Sequence, residues 1–204
     1  MSNLDKTKWG ILCPGPSLSS YKTKKMIECA EPDWLVAVNG AFVSTYNVDF
    51  WAMIDWEVFY TIAHDFQHAI AAQKQFKDVV LWIPERWFDF IKTSSPIFPA
   101  FYDFKKETFL SVPAEEFAKA MPFGRNFPWM ERTMFVAVGM AILRGAREIK
   151  IYGADLGGEG YHLPGLENCR TRHTHKRWVE EKIWFNQLKN ICADYNITLI
   201  REGE

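Results

Sequence analysis

The segment Thr-Met-Phe-Val-Ala-Val-Gly-Met-Ala-Ile-Leu-Arg-Gly-Ala-Arg-Glu-Ile-Lys-Ile-Tyr-Gly, residues 133–153, reads as a buried helix that hands over directly to a strand. Thr133 offers a cap for a helix over 133–144. Phe135, Val136, Val138, Met140, Ala141, Ile142 and Leu143 make that helix apolar nearly all round, and Gly145 ends it. A helix without a polar face must be buried on most sides. Residues 147–153 then read as the next strand, so helix and strand are joined by a short link, the repeating unit of a parallel sheet.

Outward from this unit the pattern recurs. Short apolar runs at 9–13, 34–38, 50–54, 79–83, 149–152 and 197–200 are each followed by a turn signal and a more polar, helix-like stretch. Runs of this length, rich in Val, Ile and Trp, suit strands buried on both faces, as parallel strands are. Helices are expected at 18–30, 59–76 and 176–195, the last with an inward stripe of Trp178, Ile183, Trp184, Leu188 and Ile191. Residues 84–128 differ: prolines, aromatics and weak periodicity mark an insertion or lid on one domain spanning 1–204. The expected fold is α/β, a doubly wound, mostly parallel Rossmann-like sheet with an aromatic- and Pro-rich insertion. Its ligand cleft would lie at the carboxyl ends of the strands.

Composition narrows the function classes. A net charge of −1 over 204 residues provides no general attraction for duplex nucleic acid or an anionic membrane, so neither is the favoured partner. The longest apolar runs fall short of the roughly 18 residues a membrane helix needs. Cys13, Cys29, Cys169 and Cys192 show no metal-site spacing and no signal peptide precedes them, so a cytoplasmic protein with reduced thiols is expected. Nine Trp and sixteen Phe serve either a core or stacking on sugars and bases, and composition does not choose between them.

Five segments could carry chemistry. In Leu12-Cys13-Pro14-Gly15-Pro16-Ser17-Leu18, Gly15 permits a sharp turn and close backbone approach, Pro16 stiffens it, and Ser17 offers a hydroxyl and a helix cap where phosphate is attracted. An ordinary strand–helix turn explains the same residues. Asn39, in Val38-Asn39-Gly40-Ala41, and Asp55 sit at the ends of the second and third strands, where they could meet a ligand's donors and hydroxyls or serve only turns and caps. The Gly-rich loop from Gly153 to His162 carries Asp155 as an acid and His162 as a near-neutral base. Finally, six of the eight residues 170–177 are cationic or can become so; the run is a solvated basic stretch, a seat for a diphosphate, or a contact for a nucleic-acid strand. The histidines lack partners at metal spacing, so no metal site is expected.

Taken together, Pro14-Gly15-Pro16-Ser17-Leu18, Val38-Asn39-Gly40-Ala41, and the set Thr133, Gly139, Gly145-Ala146, Ile149, Ile151-Tyr152-Gly153 and Asp155-Leu156 resemble the sialyltransferase-like superfamily. That group includes bacterial sialyltransferases, flagellin-glycosylating motility accessory factors and archaeal-type 6-hydroxymethylpterin diphosphokinases; short phage-encoded proteins look similar. The resemblance implies a nucleotide-activated donor at the carboxyl edge of the sheet, with Gly15, Pro16, Ser17 and Asn39 at nucleotide-contacting positions. It implies a general base at His175, or next at His173, in the sialyltransferase branch, whereas the diphosphokinase branch points to Asp155, Leu156 and His162. Cys13-Pro14 stands where that family more usually has Gly-Asn or Gly-Ala.

Three readings follow. The first is a nucleotide-sugar-dependent glycosyltransferase that moves a sugar to a hydroxyl acceptor without a required cofactor, with His175 or His162 as base and Tyr161, Arg170 and Arg172 stabilising the leaving phosphate. The second is a diphosphokinase-like transferase using ATP and Mg²⁺, with Asp55 or Asp155 near the metal. The third is a non-catalytic nucleotide-binding protein.

Overall fold

The computed structural model describes residues 7–43, 46–55, 58, 79–83, 105–108, 127–129, 132–157 and 175–202. These form the strands β1 (Lys8–Leu12), β2 (Trp34–Val38), β3 (Phe50–Ala52), β4 (Val80–Ile83), β5 (Lys105–Thr108), β6 (Glu148–Tyr152) and β7 (Thr198–Arg201). Among the described residues the helices are α1 (Tyr21–Ala30), α2 (Thr133–Leu143) and α3 (His175–Asp194). The strands make one sheet in the order β5-β4-β3-β2-β1-β6-β7, and every pairing is parallel. The α/β, doubly wound, parallel Rossmann-like sheet expected from the sequence is therefore present. From β1 the chain winds one way through β2 to β5, and β6 and β7 lie on β1's other side.

The period-2 geometry of a strand sends alternate residues to opposite faces. Trp9 and Ile11 of β1, Val36 and Val38 of β2, and Ile149 and Ile151 of β6 join α2 and α3 in a single core. Gly10 faces the other way: a Cβ there would meet Leu35 Cδ1 at 2.6 Å and Pro32, just after α1, at 3.5 Å. Helices thus lie on both faces, which is why β1, β2 and β3 are apolar and buried nearly throughout. All ten residues from Thr133 to Ile142 are buried, so α2 is the keystone of one face. Aromatic rings thicken that core: Trp9, Phe50 and Trp82 stack within 4.4–6.3 Å of one another, and the Arg144 guanidinium lies 5.1 Å above Phe50.

Both long helices stop by the same device. After α2, Gly145 takes φ +86° while its N–H donates to Ile142 O and that of Ala146 donates to Ala141 O. After α3, Asn196 takes φ +58°, with Asn196 N–H donating to Ala193 O and Ile197 N–H to Cys192 O. Each is a left-handed residue followed by a buried one, which satisfies the last helical carbonyls.

Local details depart from the sequence reading. Thr133 is the first helical residue of α2; Arg132, in extended conformation, precedes it and makes no capping bond. The first helix begins at Tyr21, because Pro16–Ser19 forms a separate 3-10 turn and Ser20 accepts the Thr23 N–H as the cap (3.0 Å). On α3 the inward stripe is Glu181, Phe185, Leu188 and Cys192, flanked by Trp184 and Ile191, whereas Ile183 is 52% exposed. Steps of three and four residues from Leu188 reach 185, 181 and 192, and 183 falls outside that register. Within residues 84–128, Lys105–Thr108 supplies β5, so that part of the expected insertion belongs to the sheet. Phe127 and Trp129 lie in the α2 core. The helix expected at 59–76 lies outside the described residues.

Phe135→Ala is expected to cost about 3–5 kcal/mol, the range for a fully buried aromatic ring. Ile183→Ala should stay within about 0.5 kcal/mol of the parent, as exposed positions do. Urea unfolding midpoints with an unchanged slope check both, and equal costs would reject the stripe assigned here.

Candidate functional site

Strand order reverses between β1 and β6, and in open α/β sheets the crevice at such a reversal, beyond the carboxyl ends of the strands, is where ligands bind. The ladder does not end with the strands here. Cys13 N–H donates to Tyr152 O (2.7 Å), Gly15 N–H to Gly153 O (2.9 Å), and Ser17 N–H to the Asp155 carboxylate (3.1 Å). The loop after β1 and the loop after β6 are thereby zipped together. A Cβ on Gly15 would sit 2.3 Å from both Asp155 Oδ2 and Gly153 O, and one on Gly153 would sit 2.2 Å from Cys13 O. Glycine is required at both positions because the two backbones touch.

Gly15 is buried, and its bare face is turned to Asp155 and Gly153. The Ser17 amide already has an anionic partner in Asp155, and capping falls to Ser20. Pro16 and Ser17 are half-buried. Asp155 is thus brought to the Gly15–Ser17 turn from 138 residues away, which joins two of the segments singled out in the sequence.

Asn39 stands on the same edge, immediately after β2, whose Ala37 lies opposite Leu12 of β1. Its φ is +49°, and its side-chain Oδ1 is buried without a hydrogen-bond partner. Two contacts hold the backbone there: the Trp51 indole donates to Asn39 O (2.9 Å), and Phe42 stacks on Trp51 at 4.2 Å. Tyr46 OH donates to Leu18 O (3.2 Å) and ties this segment to the β1 turn. Asp55 lies three residues beyond β3 and is half-buried.

The entrances of α2 and α3 complete the edge. Glu181 is a buried carboxylate whose Oε1 accepts from Arg132 Nε and, at 3.0 Å, from Arg177 Nε. The Arg132 guanidinium lies 5.1 Å over the Trp184 ring. From the far side, Arg201 Nη1 donates to Ala154 O (3.2 Å) and holds the β6 loop. Arg177 and Glu181 stand four apart, a legible helical pair, but Arg132 comes from a segment 49 residues earlier and carries no local signal of its partner.

Cys13 is fully buried at the foot of this edge. Burial, then the negative charges of Glu181 and Asp155, push its thiol well above its ordinary 9.0. Burial also raises Cys192, to about 12. His175 opens α3. His162, His173, Tyr161, Arg170 and Arg172 lie outside the described residues. Among the described residues no three His, Cys, Asp or Glu side chains group as metal ligands, and no helix is long and apolar enough to cross a membrane. A separate cavity of about 300 Å³ between α1 and the β6–β7 pair is lined by Met26, Cys29, Lys150, Tyr152, Ile200 and Glu202; none of the sequence-predicted residues borders it.

Two tests address this packing. Gly15→Ala must displace a carboxylate and a backbone carbonyl, so a loss of about 1–3 kcal/mol is expected in chemical denaturation. An unchanged midpoint would mean the two loops are not in contact. For the thiols the sign is set by the raised folded values. The unfolded chain loses its thiol protons first, so stability present below pH 9.0 falls as pH rises past it. Urea midpoints measured from pH 8 to 10 should fall, and Cys13→Ala should flatten part of that slope.

Comparison with known proteins leaves this geometry as the ground for any assignment: no protein-family model and no curated protein matches the chain.

Proposed function

We propose that the chain is a nucleotide-sugar-dependent transferase, whose donor nucleotide lies across the carboxyl ends of β1, β2 and β6 and whose sugar passes to a hydroxyl acceptor. The observation that carries the reading is Asn39. At φ +49°, which asparagine tolerates, Asn39 holds a buried side-chain oxygen with no hydrogen-bond partner, and that lost bond carries a cost. Such costs persist where a group is held for a ligand. Oδ1 accepts hydrogen bonds only, so it calls for an N–H or O–H, as a base's exocyclic amine or a ribose hydroxyl provides. The resemblance in the Pro14–Leu18 and Val38–Ala41 segments supports the same position.

In the proposed reaction the acceptor hydroxyl attacks the donor sugar's anomeric carbon. The bond from that carbon to the phosphate oxygen breaks, and its electron pair stays on the phosphate. The hydroxyl proton goes to a histidine, for which His175 at the start of α3, His173 and His162 are the candidates. No metal is required by this route. Because Gly15 and the Ser17 amide are engaged internally, the nucleotide would meet the half-buried outer edge of the turn, Pro16 and Ser17, together with Asn39.

The decisive experiment is thermal unfolding against a panel of nucleotides with and without Mg²⁺, on the parent and on Asn39→Gly. Glycine tolerates φ +49° and has no side-chain acceptor, so Asn39→Gly should melt at the same or a higher temperature yet lose the nucleotide-induced rise. A cytidine or uridine preference fits sugar transfer, an Mg²⁺-dependent ATP preference fits diphosphoryl transfer, and binding without donor turnover fits a non-catalytic binder. Full nucleotide response in Asn39→Gly would reject the site.

A further inference from the structure

Between α1 and the β6–β7 pair, a carboxylate with a spare buried oxygen forms part of the wall of an open cavity. We infer that this cavity binds a small amine with an apolar body, whose ammonium group hydrogen-bonds to Glu202. The site stands apart from the proposed nucleotide edge, since Pro16, Ser17 and Asn39 do not line it, and it does not depend on that reading.

The first observation is an acceptor left over. Glu202, just past β7, has its Oε1 held by Thr23 Oγ1 at 2.5 Å, while its Oε2 is buried and has no hydrogen-bond partner. An ionised carboxylate accepts hydrogen bonds only, so the group that relieves this cost carries an N–H or O–H. The second is room. Glu202 lines a volume of about 300 Å³, at the small end of ligand sites, with apolar surface from Met26, Ala30 and Ile200. Met26 and Ile200 are themselves exposed, so the cavity is reached from solvent between the helix and the edge strand. The third is charge. The cations of the wall are already engaged: Lys150 pairs with Glu148 at 3.1 Å, and Arg201 Nη1 donates to Ala154 O at 3.2 Å. Among the described residues no salt bridge reaches Glu202. The Tyr152 phenol, also in the wall, registers the excess: burial, then the negative charges of Glu202 and Glu148, push it up to about 12. A cation is therefore favoured here over an anion.

Saturation-transfer NMR on the full chain, titrated with phenethylamine and separately with phenylacetate, tests the site with one ring and two opposite charges. Phenethylamine should receive saturation, and phenylacetate should bind several-fold more weakly. Cys29 is exposed and lines the same cavity, so bound phenethylamine should slow its alkylation by iodoacetamide, followed by peptide mass mapping. Glu202→Gln keeps the size of the side chain and an acceptor for Thr23, and it should weaken phenethylamine by about tenfold or more. Ile200→Lys, at an exposed position, sets a competing cation at the mouth and should weaken it too; melting curves verify that each variant is folded. Phenylacetate binding as tightly as phenethylamine, unchanged affinity in folded Glu202→Gln, or Cys29 alkylation indifferent to saturating amine overturns the site. Should Glu202→Gln fail to fold, unchanged affinity in Ile200→Lys overturns it in the same way.

Discussion

The close approach of the β1 and β6 loops is the constraint from which the rest of the molecule follows. Two strands far apart in the chain pair in register from Lys8↔Glu148 to Leu12↔Tyr152. Their ladder then runs past both strand ends through Cys13, Gly15 and Ser17. Pairing through the turn sets where the winding of the sheet changes direction. It also sets how tightly the crevice is closed at its base, since no side chain can be placed between Gly15 and Gly153. Everything on the carboxyl edge is measured from that seam: Asn39 one strand away on one side, and the entrances of α2 and α3 over the other.

The charges around the seam are arranged in internal exchange. Asp155 accepts a backbone N–H, and Glu181 accepts two guanidiniums, so each carboxylate is hydrogen-bonded as a semi-buried anion must be. Between them lies a thiol that burial and those same carboxylates keep protonated. The result is a rigid polar floor with its strongest donors already occupied. Asn39 Oδ1 and Glu202 Oε2 are the buried acceptors left over, the first beside the β1 turn and the second just past β7.

Most of the architecture was legible in the chain because it is local. Residues 34–38 and 149–152 are apolar runs bounded by turn residues, and β2 and β6 coincide with them or extend them by one residue. The helix with no polar face announced α2. What was missed depends on partners distant in sequence. β5, Lys-Lys-Glu-Thr, has no apolar run at all and is a strand because β4 offers it an edge to pair with. Glu181 looks like one charge among many on α3 until Arg132 folds against it. Gly15 offers close backbone approach in the sequence, and only Asp155, 140 positions on, shows that the protein's own β6 loop makes such an approach. Among the candidate bases, His175 is now placed on α3, while His162 and His173 lie beyond the described residues.

The seam also orders events during synthesis. β1 can align with β2 soon after both are made, but its other flank has no neighbour until β6 follows. Until then one face of β1, with Trp9 and Ile11, lacks α2 as well as β6. Trp9 and Ile11 stay uncovered while the residues between β2 and β6 are made, and long-range parallel pairing is slow to form. A sheet with one inner strand waiting on β6 can close only once that later strand exists, which makes its assembly a late and collective event.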